Sequence, residues 1–207
     1  VACIVMIGWL AGIEVLTSAL PGLPTTKFNT ALCFALSSFV LMGGARGFSN
    51  GPLELLRKTS AFVVLCIAIA TLLEYLLNID LFIDQLFISD PRSLESNNAP
   101  GRMSAATAIA FLFLALAQVS LFAKSTLSTL LSQTFALVTF LCGLIGLTGY
   151  VYSKESLFSF SLFSSMALPT TILFQFLSLG VLWLKPHQGF MAALTKSQVG
   201  VRLMLPS

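Results

Sequence analysis

Apolar residues run through this chain in long blocks, and the polar positions collect between them. The blocks cover residues 2–20, 29–44, 60–79, 104–123, 131–152 and 169–185. A bilayer core of about 30 Å needs roughly 20 apolar residues in a helix. The blocks lack the strict alternation of membrane strands, and lipid cannot satisfy open backbone groups, so helix is the state they predict. The pattern therefore predicts an all-α integral membrane fold of six transmembrane helices.

A phrase recurs at the start of every second block: "LPTTKFNTALCF", "APGRMSAATAIAF" and "SSMALPTTILFQF". Aligned on Thr30, Thr107 and Thr170, each copy carries a phenylalanine four residues on, at Phe34, Phe111 and Phe174. Met103 and Met166 precede their threonines by four residues, where the first copy has Thr26. These offsets place the marks on one helical face. The preceding blocks also rhyme, in "GIEVL", "LLEYL" and "LTGYV", so Glu14, Glu74 and Gly149 correspond. The predicted unit is a helical hairpin repeated three times, over about 1–44, 60–123 and 131–185. Residues 186–207 form an amphipathic tail that leads to a continuation beyond the chain. The threonines serve either as packing contacts between helices or as a ring of three helix starts around a small polar pocket.

Composition sharpens the class. Of 207 residues, 57% are hydrophobic and 9% are charged, against about a quarter charged in soluble domains. The net charge of +3 comes without a basic run, which argues against nucleic acid as a partner. Cys3, Cys33, Cys66 and Cys142 each stand alone in an apolar block and read as small hydrophobes. Arg46, Arg57, Lys58, Lys124, Lys185, Lys196 and Arg202 fall on the side of the termini, and Lys27, Arg92, Arg102 and Lys154 on the other. The excess places both ends in the cytoplasm of a multi-pass protein.

Candidate chemistry is sparse. An acid within a membrane span is costly and usually functional, which singles out Glu14 and Glu74, facing either the interior or interfacial water. The loop "NIDLFIDQLFISDP" holds Asp80, Asp84 and Gln85 and predicts a short amphipathic helix on the outer surface. Its acids are too widely spaced for a calcium loop, so no metal ligands are assigned. His187 has no acidic neighbour in sequence, and no catalytic residues or cofactor are assigned. Gly143 and Gly146 form a close-packing face.

The run "LLEYLLNIDLFIDQLFISDP" followed by "PGRMSAATAIAFLFLALA" resembles the multi-span N-terminal membrane region of bacterial sensor histidine kinases and diguanylate cyclases, the type that precedes PAS, kinase or GGDEF modules. The resemblance continues through "GLTGYVY", "SMALPTTILFQFLSLGVLWLKP" and "GFMAALTKSQVGVRLMLP". It implies a sensory input domain of the bacterial inner membrane, a homodimer formed through its output region, and 80–107 as the sensory centre, with Asp84, Gln85, Arg102 and Thr107 foremost. A quinone- or lipid-like ligand is one candidate stimulus. A small transporter, a channel or a structural membrane subunit of a larger complex is the alternative.

Overall fold

The computed structural model describes residues 1–18, 24–48, 50–84, 100–123, 125–151 and 166–195, without the side chains of Glu14 and Val151. Helices account for all its regular structure, and the described residues include no strand. They are α1 (Ala2–Ala11), α2 (Phe28–Ala45), α3 (Pro52–Leu77), α4 (Ala105–Ser120), α5 (Thr126–Val151) and α6 (Leu168–Trp183), with a 3-10 turn at Glu14–Leu16 and a further helical stretch over 189–195.

Among the described residues, three helices are long and apolar enough to cross a membrane: α2 with 18 residues, α3 with 26 and α5 over Thr126–Tyr150. The other three fall short of the expected spans. α4 and α6 have 16 residues each, a rise of about 24 Å. The block at 2–20 is not one helix, because α1 stops after ten residues. Gly12 follows it with φ of 67°, a left-handed conformation that costs glycine little. The Gly12 amide donates to Trp9 and the Ile13 amide to Gly8, which closes the helix end as a Schellman motif.

The ends of the other helices are written locally. Ser104 caps α4, its hydroxyl accepting from the Thr107 amide. Proline stands in the first turn of α3 and of α6, where a missing N–H costs nothing. Asn78, at φ 52°, ends α3.

α2, α4 and α6 touch one another, while α3 packs on α2 and α4, and α5 on α4 and α6. α4 is the most enclosed: Ala106, Ala108, Ala110, Phe111, Leu114, Ala115 and Ala117 are all sealed from the surface. On the axis the rings of Phe34, Phe111 and Phe174 meet in a closed triangle, with centroid separations of 4.7, 4.7 and 4.8 Å. The tilted geometry is the one aromatic quadrupoles favour. Close approach of α5 to α6 depends on glycine, as expected: a Cβ on Gly146 would lie 2.7 Å from Thr171, and one on Gly143 would lie 2.8 Å from Gln175. The outward faces of α3 and α5 carry exposed Phe62, Leu73, Leu76, Leu127 and Leu141, a surface suited to hydrocarbon.

Candidate functional site

α3 ends one turn after Glu74, and the chain then reverses. Asn78 and Phe82 both take positive φ, at 52° and 59°. The Phe82 amide donates to its near neighbour Asp80 at 2.8 Å, and the Leu81 amide donates to Glu74 Oε1 at 2.9 Å. The amphipathic helix expected from Asp80 onward is therefore absent over 79–84, because these turns break the helical path. Its continuation, including Gln85, lies outside the described residues.

The reversal has a chemical result. It brings Asp80 and Asp84 back over the end of α3, where Arg102 enters from the turn before α4. Arg102 Nε donates to Asp84 Oδ2 at 2.7 Å and lies 3.3 Å from Glu74 Oε2. Its Nη2 donates to the Ile79 carbonyl at 3.3 Å and stands 3.9 Å from Asp80. The guanidinium also sits over the Tyr75 ring, 5.5 Å from its centroid. From α2, Asn29 donates to the Ile83 carbonyl at 3.1 Å. α2, α3 and the turn before α4 thus hold one short loop.

Burial decides how this cluster differs from a surface network. Glu74 is wholly enclosed and Asp84 nearly so, whereas the Asp80 side chain is about half exposed at 55%. Asp84 Oδ1 and Glu74 Oε2 are buried and lack a hydrogen-bond partner among the described residues. Burial raises the Asp84 carboxyl above its ordinary value; the Arg102 hydrogen bond and charge oppose that rise without cancelling it. Arg102 is raised in turn: burial works against its charge, but the facing carboxylates outweigh it. One carboxyl oxygen from each of Glu74, Asp80 and Asp84 lies within 4.8 Å of the others. The loop acids lack the spacing of a calcium loop, and it is the reversal of the chain that gathers them with Glu74. The oxygens suit a hard cation, but Arg102 already occupies the space between two of them.

The other expected residues lie elsewhere. Thr30, Thr107 and Thr170 are all buried on the inner helices, and the Thr107 hydroxyl is 2.8 Å from that of Ser104. One turn further along, the axis is filled by the three phenylalanines. The backbone of Glu14 belongs to the 3-10 turn beyond α1, so it is not placed on a helix end as Glu74 is.

A repeated contact escaped the sequence reading. The Tyr75 hydroxyl donates to the Met103 carbonyl at 3.0 Å, the Tyr150 hydroxyl donates to the Met166 carbonyl, and the Trp9 indole donates to the Thr26 carbonyl at 2.8 Å. Thr26, Met103 and Met166 are the three positions four residues before the marked threonines. Each aromatic ties the end of an odd-numbered helix to the start of the next. The residues immediately before Trp9, Tyr75 and Tyr150 are Gly8, Glu74 and Gly149. The aromatics were visible in "LLEYL" and "LTGYV", but the first contact uses a tryptophan in place of tyrosine, and the separations are 17, 28 and 16 residues.

No protein family, curated protein or solved structure matches the chain.

Proposed function

We propose that the chain is the sensory input domain of a bacterial inner-membrane signalling protein, built as three hairpins with both ends in the cytoplasm. The buried Glu74–Asp84–Arg102 cluster carries this reading. Charge inside an apolar helix bundle is costly, and where it occurs it usually serves a function. Here it folds the α3–α4 connection back onto the end of α3, with Asn29 of α2 holding it as well, so a stimulus that favours one arrangement of the loop would shift helix packing. The resemblance of "LLEYLLNIDLFIDQ" and "PGRMSAATA" to the membrane regions of sensor kinases and diguanylate cyclases points the same way. Homodimerisation through an output region follows from that resemblance.

The triangle of phenylalanines and the three aromatic-to-carbonyl contacts support a repeated hairpin. The enclosure of α4 gives a reason for its shortness, since a helix surrounded by protein need not match the hydrocarbon thickness.

The test uses the full-length protein in native membranes. Arg102→Ala and Glu74→Gln are expected to change the protein's autophosphorylation or cyclase output. Unchanged output in both variants, or solute flux by the chain in liposomes, rejects the sensory reading.

A further inference from the structure

We infer that Glu74 and Asp84 share one bound proton, making the loop after α3 a proton-held latch. The argument is geometric. Two carboxyl groups, both sealed from solvent, flank one guanidinium. Asp84 Oδ2 and Glu74 Oε1 have N–H donors, from Arg102 and Leu81. The remaining oxygens, Asp84 Oδ1 and Glu74 Oε2, are left without hydrogen bonds in the interior. The two carboxyls approach each other, one oxygen of each within 4.8 Å, so a single proton held by the pair supplies a donor that the interior otherwise lacks. It also balances charge: two buried carboxyls, one Arg102 and one proton sum to neutrality. Two ionised carboxylates against one guanidinium would leave a net negative charge in a medium that penalises it.

The groups facing this pair among the described residues are few. α3 supplies Tyr75, the reversed segment supplies Asp80, the turn before α4 supplies Arg102, and α2 supplies the uncharged amide of Asn29. Asp80 is half exposed and keeps its own hydration, so it modulates the pair without joining it.

The sign follows from the direction of the Asp84 shift. An acid whose folded pKa is raised gives the latch stability that is fully present below the unfolded value and is lost as pH rises through the folded one. On the rise the proton leaves for water, both carboxylates are charged, and their repulsion loosens the 79–84 segment from α3. The coupled pair titrates as a unit.

The test is difference infrared spectroscopy of the chain in lipid nanodiscs, read at the carbonyl stretch of a protonated carboxylic acid. The expected result is one protonated carboxyl per chain at about pH 5, above the ordinary carboxylate range. It disappears on upward titration as amide exchange at Leu81 accelerates beyond the solvent effect. Glu74→Gln removes the band and keeps Leu81 protected throughout, because the Gln amide donates in place of the proton. Asp80→Asn leaves the band in place. Absence of the band at about pH 5 overturns the inference. So does its saturable removal by calcium at constant pH, which would make a metal the occupant. The readout is independent of signalling, so a failure here leaves the sensory proposal standing.

Discussion

Arg102 is clamped between two buried carboxyls at one end of the bundle, with 10% of its side chain exposed; at the other end Lys58 pairs with Glu54 at 2.8 Å with 49% of its side chain exposed. The two ends treat charge in opposite ways. Around Lys58, cations lie along apolar surface: Arg57 stacks 4.8 Å from the Phe122 ring centroid, and Lys185 Nζ reaches the Thr129 hydroxyl at 3.2 Å. Arg57, Lys185, Gln118 and Phe122 line a small cavity of about 120 Å³ there. The turn after α6, which carries Lys185, is also held by the neutral amide of Gln133. Gln133 donates to the Gln188 carbonyl at 2.9 Å and accepts from the Phe190 amide at 2.7 Å. At this end an amide and backbone groups hold the turn, whereas at the other a nearly buried guanidinium and two buried carboxyls hold the loop.

Breaking each end in turn measures that difference. Arg102→Ala strands two buried carboxyls and is expected to cost about 3–5 kcal/mol in detergent unfolding, with Arg102→Lys recovering part of the loss. A loss under 1 kcal/mol would mean that the cluster is already neutral without it. At the other end Gly189, at φ 58°, approaches Gln133 so closely that a Cβ would lie 2.3 Å from Oε1. Gly189→Ala is expected to cost roughly 1–3 kcal/mol, seen as a lower midpoint in the same unfolding assay. Tyr75→Phe removes the bond to Met103 but keeps the ring beside Arg102, for a loss of about 1 kcal/mol. Lys58→Ala should change stability by no more than about 0.5 kcal/mol, and that small effect should vanish in roughly 1 M salt. Equal effects for Arg102→Ala and Lys58→Ala would erase the contrast between the ends.

Much of the plan was legible locally. Thr30, Thr107 and Thr170, with their phenylalanines, marked three helix starts, and all six side chains are buried. The positions of Gly143 and Gly146 foretold the close α5–α6 contact. The reading failed where local backbone chemistry overrode apolar content. Gly12 ended α1 early, and Asn78 and Phe82 turned a supposed amphipathic helix into a reversal. Asp84 and Arg102 were singled out from the sequence, but nothing in their separation of 18 residues said that they would meet.

By itself, then, the sequence determined that the chain is helical and apolar, where α2, α4 and α6 begin, and which few residues bear charge; α3 and α5 start earlier, at Pro52 and Thr126, than their apolar blocks at 60 and 131. Those properties follow from composition, periodicity and capping, all of which act over a turn or two of chain. Only the tertiary structure decided that Glu74, Asp80, Asp84 and Arg102 form one cluster, that Phe34, Phe111 and Phe174 close one triangle, and that Trp9, Tyr75 and Tyr150 each donate to a backbone carbonyl ahead of the next helix. These are contacts between segments far apart in the chain. They arise from the direction in which each turn sends the backbone, and a one-dimensional pattern does not carry that direction.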